Sequence, residues 1–370
     1  MRKCITAAVM AALLAVYFAA GCSDHNTDNY SEPDEITTTD AVTTAETVIT
    51  VAEPSTKPDK VIPGDFGTPS EETEKNRPQF VYIMDGSSYV YLSGKNGQNG
   101  REDVYILDDR KGHTEELHLP AKSLVLYTDG KSLYYYSSGE GICEYRDGKT
   151  KVIIKDSIDG GSTAREREEF FFAKDRIYFT CPTDSGTVIR SADYSGKLSG
   201  EEYSLEYKNA HIVGFTEVSG KNSLVCSYRI SINEYIRVFG ENGAYVDIKS
   251  GESPYIVGDK LYYIKERRLC RNDLSGGSEV YITDMGSISG FCFFEDKLYY
   301  TDSAAVYAVD SDGKTKEILS AGGIEGSDFI EGICTAGGRL FVSGGSGAFN
   351  HSLAEIDENG KVTEKIHSDK

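Results

Sequence analysis

From residue 79 to the C terminus, short apolar runs alternate with polar turns, and no stripe of helical period persists. Runs such as Leu133-Tyr134-Tyr135-Tyr136 and Phe291-Cys292-Phe293-Phe294 are rich in β-formers and bounded by Gly, Asp or Asn, which predicts strands rather than helices. The runs do not alternate apolar with polar, so these strands are expected to be covered on both faces.

One motif organises them: a polar turn, one or two residues of Lys, Arg, Asn or Ser, then an apolar or aromatic run. It appears as Asp85-Gly86-Ser87-Ser88-Tyr89-Val90-Tyr91, Asp129-Gly130-Lys131-Ser132-Leu133-Tyr134-Tyr135 and Glu295-Asp296-Lys297-Leu298-Tyr299-Tyr300. The seven copies are anchored on Tyr89, Leu133, Ile177, Leu224, Leu261, Leu298 and Leu340, at spacings of 44, 44, 47, 37, 37 and 42 residues. Each copy is followed by a second strand-into-turn signature, as in Ile142-Cys143-Glu144-Tyr145-Arg146-Asp147-Gly148-Lys149. Asp-Gly and Asn-Gly suit hairpin turns with positive φ, so each repeat holds two hairpins and four strands. Four strands in roughly 40–50 residues, seven times over, predict an all-β fold: a seven-bladed β-propeller of four-stranded antiparallel blades. Phe80-Val81-Tyr82-Ile83 opens blade one and residues 362–366 end blade seven, so the ring is expected to close by packing the last blade on the first.

The first 78 residues have a different character. Met1-Arg2-Lys3 is a basic start, residues 5–20 are apolar, and Ala19-Ala20-Gly21-Cys22 ends the stretch with small residues before a cysteine. This is the pattern of a secretory signal, too short to span a bilayer comfortably. The tetrad resembles the lipobox of bacterial lipoproteins, which implies lipidation of Cys22 as the new N-terminal residue. Residues 1–21 are therefore expected to be a lipoprotein signal peptide. Residues 22–78 hold six of the nine prolines and eleven threonines, with 13 acids against 4 bases. That composition predicts a disordered, extended Thr/Pro/acidic linker, leaving 79–370 as the propeller domain.

Charge narrows the partners. The chain has 59 Asp plus Glu against 39 Lys plus Arg, a formal charge of −20, which disfavours nucleic acid and anionic membrane surfaces. The expected location is extracytoplasmic or at the cell surface, with the chain exported and held to a bacterial membrane by its N-terminal lipid.

The copy Leu298-Tyr299-Tyr300-Thr301-Asp302 resembles the Tyr-Trp-Thr-Asp repeat of low-density-lipoprotein-receptor-type propellers, with Tyr300 in the tryptophan position. Similar propeller domains occur in bacterial surface lipoproteins of unknown function, and residues 79–370 look like one of them. The receptor-type domains have six blades where seven copies are counted here, and this chain has no Trp.

Candidate chemistry is sparse. Once Cys4 leaves with the signal and Cys22 takes lipid, Cys143, Cys181, Cys226, Cys270, Cys292 and Cys334 remain, one per blade from two to seven. Equivalent positions on neighbouring blades are expected to stand too far apart for a bridge, so these are read as buried thiols acting as small hydrophobes. The histidines have no metal-ligand spacing, Asp310-Ser311-Asp312-Gly313 does not fit a calcium loop, and no phosphate loop, nucleophile elbow or cofactor signature occurs. Most of the 25 tyrosines lie in the repeat strands and are assigned to blade packing rather than to a carbohydrate platform.

If the tight turns join strands one to two and three to four, the longer connections emerge together on the opposite face, the usual ligand face of propellers. Ring closure would bring the loops of blades one and seven together there, which makes Asn96, Gln98, Asn99, Arg101, Ser346, Phe349, Asn350 and His351 the candidate ligand-binding residues. Two functions follow as expectations. The first is a noncatalytic, lipid-anchored binding module for an extracellular protein or glycan. The second is a propeller enzyme, a lyase or hydrolase of an extracellular polymer, with acids and His351 around the central opening. The lack of a base, nucleophile or metal arrangement favours the first, with no catalytic residue and no cofactor.

Overall fold

The computed structural model describes residues 66, 69–77, 79–96, 103–117, 119–120, 123–155, 167–218, 221–240, 244–277, 279–283, 287–310, 313–346 and 350–368. They form seven four-stranded antiparallel sheets, each from one contiguous stretch of chain and each in simple up-and-down order. First strands of neighbouring blades pack on each other and face the central channel; fourth strands lie outermost, as the largely exposed Lys149–Lys155 and Thr315–Ser320 illustrate. The all-β, seven-bladed expectation is borne out.

The repeat motif acquires its physical meaning in the seams. All seven anchors, from Tyr89 to Leu340, are buried. Among the described residues the apolar core divides into seven clusters, each shared by two adjacent blades around the whole ring. Burial on both faces explains the missing alternation in runs such as Leu133–Ser137. The turn chemistry is equally plain at Asp147 and Gly148, whose φ of +50° and +72° are those a two-residue hairpin turn requires and Asp-Gly tolerates. The six propeller cysteines are buried free thiols.

The ring closes without strand exchange, because blade seven completes its own sheet with Val362–Ser368. Val81, Ile83, Tyr89 and Tyr91 pack on Cys334, Phe341, Leu353 and Ile366. A polar clasp then spans the same seam. The Tyr89 ring lies between the guanidinium groups of Arg110 and Arg339, at 4.9 and 5.6 Å. Arg339 donates to the Tyr89 hydroxyl and, at 2.9 Å, to the Gly86 carbonyl. That hydroxyl donates to Glu355 at 3.0 Å, and Arg110 pairs with Glu364.

One stretch departs from the linker composition. Phe66 is buried in the seam of blades five and six, where its carbonyl accepts from the Tyr262 hydroxyl at 3.1 Å. Ser70 then caps a six-residue helix, Glu71–Asn76, accepting from the Thr73 N–H at 3.1 Å, with acids in its first turn where the helix dipole favours them. This segment enters the channel, and the reason lies in the sheets. Each inner strand has one edge with no neighbouring strand, and its backbone groups need partners. The Asn76 amide acts like a strand, donating to Phe172 O at 2.8 Å and accepting from Phe172 N at 2.6 Å. Arg77 donates to Phe291 O at 2.9 Å and Gln79 to Thr335 O at 3.1 Å. Arg167 ties Gln79 O to Val125 O. Phe66, residues 69–77 and Gln79 thus form a plug joining blades two, three, five, six and seven. Averaged over 57 residues, composition hides a segment whose order comes entirely from tertiary contacts.

Candidate functional site

The plug fills one end of the channel and leaves the other hollow. Glu72 accepts from Lys174 N at 2.8 Å, beside the first hairpin turn of blade three, which places the helix start at the face of the tight turns. Toward the other face lies a cavity of about 1070 Å³. Its wall comes from the beginnings of the inner strands, including His211, Ile212, Glu252, Tyr255, Phe291 and Cys292, and from Ser231 and Glu234 at the second-to-third-strand hairpin of blade four. Among the described residues the channel is therefore a blind socket, opening on the face of the longer connections, with Thr73, Asn76, Arg77 and Gln79 at its floor.

Arg77 dominates that floor. Its guanidinium lies 4.1 Å over the Tyr255 ring and 4.7 Å from the centre of the Phe291 ring. Burial lowers its pKa and pulls that of Arg167, beside Gln79, down to about 10, because both cations are desolvated. Burial raises the Cys292 thiol well above its ordinary value and the Cys334 thiol to about 12, so the two thiols of the wall stay protonated and inert as nucleophiles at neutral pH. Around the mouth stand Glu168, Glu169 and Glu252 with Lys208; Arg229 Nε donates to Glu234 at 2.6 Å.

Of the residues singled out in the sequence, His351 and Ser346 are described fully. His351 Nδ1 lies 2.9 Å from Glu331 Oε1, and the Ser343 hydroxyl donates to Glu331 Oε2 at 3.1 Å. Serine and histidine thus share one carboxylate; the histidine does not stand between the other two as a nucleophile's base would. Asn96 ends the second strand of blade one opposite Asp103, and Ser346 pairs with Asn350 in blade seven. The side chains of Asn96 and Asn350, together with Gln98, Asn99, Arg101, Phe349 and the lipobox Cys22, lie outside the described residues. In the Thr301-Asp302 pair, Asp302 accepts from the N–H groups of Ala304 and Ala305, each at 2.8 Å, a turn-holding role. Among the described residues, no group of three or more His, Cys, Asp or Glu is placed to hold a metal. Arg77 and Tyr255 escaped the sequence reading; the signal available for the plug was Ser70 followed by Glu71-Glu72, a helix start inside a segment otherwise read as linker.

No protein-family profile matches the chain, and no curated protein matches it by sequence. Its similarity is to solved propeller structures. A prolyl endopeptidase superposes with a TM-score of 0.51 at 14% identity, over 79% of this chain and 48% of the other. The β-propeller domain of the Trilobed protease from Pyrococcus furiosus aligns at 15% identity with a TM-score of 0.47, covering 78% of this chain and 99% of that domain. PorZ, a surface component of the type-IX secretion system of Porphyromonas gingivalis, aligns at 11% identity with a TM-score of 0.47, over 76% of this chain and 36% of the other. The chain spans about half the length of the prolyl endopeptidase. At these identities the likeness concerns the fold alone.

Proposed function

We propose that this chain is a noncatalytic binding module, carried by a lipid on Cys22 outside a bacterial membrane, whose socket receives part of an extracellular partner. The observation that carries this reading is the blind channel, sealed by the chain's own plug at one face and open on the face of the longer connections. Its wall offers inner-strand edges and a cation, which are recognition groups. The two thiols of the wall are held protonated, and His351 is committed to a structural carboxylate, which argues against the lyase or hydrolase alternative. A protein is favoured over a glycan as partner, because Tyr255, Phe291 and the other large aromatics are buried in the seams rather than displayed as a sugar-stacking platform.

Two measurements test this. Cys22→Ala should move the protein from the membrane fraction to the soluble extracytoplasmic fraction; unchanged retention removes the lipid. Photo-crosslinking side chains placed at Ile232, which is 90% exposed on the blade-four hairpin, and at Asn209 should yield covalent partner adducts in cells. The same groups at Lys131 and Glu295, on the tight-turn face, should yield none. Adducts from the tight-turn face alone would defeat the socket reading.

A further inference from the structure

Arg77 is a partly buried cation at the floor of the cavity. It has a carbonyl, Phe291 O at 2.9 Å, and two aromatic rings as neighbours, but no carboxylate among the described residues pairs with it. A guanidinium held by rings and a carbonyl, with part of its surface open to the cavity, attracts an anionic group arriving from the open face, which the fork can bind through two parallel N–H bonds.

The mouth selects which anion arrives. Glu168, Glu169 and Glu252 outnumber Lys208 there, and Arg229 is engaged with Glu234. A polyanion, such as a nucleic acid or a polyuronide, is repelled at that ring and by a chain of net charge −20; a single carboxylate at the end of a neutral or basic chain is not. The remaining wall suits such a chain. Among the described residues no plug hydrogen bond goes to the inner strand of blade five, Glu252–Val257, an end strand of its sheet. Its channel-side edge offers backbone groups to an extended segment, as strand-addition sites do. A volume of about 1070 Å³ matches the upper end of the roughly 300–1,000 Å³ typical of small-ligand pockets, room for a chain end of a few residues.

The geometry points to a site for the C-terminal carboxylate of an extended peptide, seated on the Arg77 guanidinium with its backbone along blade five. This rests on the socket reading and adds the chemistry of what fills it.

Affinity selection with mass spectrometry tests it on the chain of residues 22–370 carrying Cys22→Ala. The probe is an equimolar mixture of N-acetylated random hexapeptides, half with free C-terminal carboxylates and half amidated. Free acids should be retained at least tenfold over amides, and Arg77→Gln should bring that ratio close to one. A second readout needs no variant of Arg77. Backbone amides of Glu252–Val257, which line the cavity through Glu252 to Tyr255, should exchange hydrogen at least threefold more slowly with the free-acid pool, while the amidated pool leaves them unchanged. Equal retention of acids and amides would overturn the carboxylate site while leaving a loop-face partner found by crosslinking intact. Retention of neither pool, or protection by an oligogalacturonate in place of the peptides, would overturn the peptide assignment.

Discussion

Deleting residues 66–78 is expected to lower the stability of the propeller by roughly 5 kcal/mol. Burial of Phe66 contributes about 2 kcal/mol. The three hydrogen bonds that Asn76 and Arg77 make with Phe172 and Phe291 together contribute about 2 kcal/mol, and the stacking of Arg77 on Tyr255 and Phe291 about 1 kcal/mol more. For a domain of this size the corresponding drop in Tm is about 8 °C. The physical point is that among the described residues this ring has no exchanged strand to lock it: no strand of blade one pairs with blade seven, so the plug joins blades across the channel where the circumference lacks a strand link. Thermal melts of the chain with and without residues 66–78 measure the effect; an unchanged Tm would mean that the plug hydrogen bonds merely replace bonds to water.

Arg237→Met is the single substitution with the largest expected cost, roughly 1.5–3 kcal/mol, the range for hydrogen bonds to charged groups, because the Glu206 and Asp247 carboxylates it leaves are 55% and 31% exposed and regain water. The Arg237 side chain is 3% exposed. It donates two bonds to Glu206, at 2.8 and 3.1 Å, and two to Asp247, both at 2.9 Å. It also faces the rings of Tyr245, Tyr228 and Tyr207. Arg237→Lys should recover only part of the loss, because an ammonium cannot serve two carboxylates with parallel bonds. Burial pushes the Glu206 carboxyl pKa upward, but the hydrogen bonds from Arg237 outweigh it and hold the group below its ordinary value. A depressed carboxylate pKa contributes stability above its unfolded-state value, and that contribution is lost as pH falls through the folded-state value. The gap between wild type and Arg237→Met in denaturant melts should therefore narrow as pH drops below about 4. The site bears on function because Glu206 and Tyr207 immediately precede Lys208, Asn209, Ala210 and His211, which form one wall of the socket. A pH-independent gap would mean that Arg237 acts through packing on the tyrosines alone.

The ring was legible in the sequence because its information is local and repeated. Every anchor from Tyr89 to Leu340 follows its own turn by one or two residues, so a spacing of 37 to 47 residues is enough to count blades. The seams were legible for the same reason: Tyr134, Tyr262 and Tyr299 each follow their anchor by one residue and bury against the next blade. What could not be read was anything fixed by contacts across the channel. Arg77 sits in an acidic, proline-bearing stretch, and its role depends on Tyr255 and Phe291, which lie far along the chain and carry no mark that separates them from the other blade aromatics. Asn76 holds Phe172 across 96 residues. His351 drew attention as a chemically versatile residue in a glycine-rich loop, but Glu331 on the inner strand of its own blade holds it.

Hydrogen exchange of the full chain, read peptide by peptide, tests most directly whether the channel is a blind socket floored by the chain's own segment. Backbone amides of residues 72–77 should exchange at least a hundredfold more slowly than in the isolated peptide, and replacing Phe66 and Asn76 together with alanine should release them while the outer strands stay protected. Exchange of residues 72–77 at the rate of the isolated peptide would contradict the account: the channel would be open at both ends, with no floor to hold Arg77 where a ligand's carboxylate would find it.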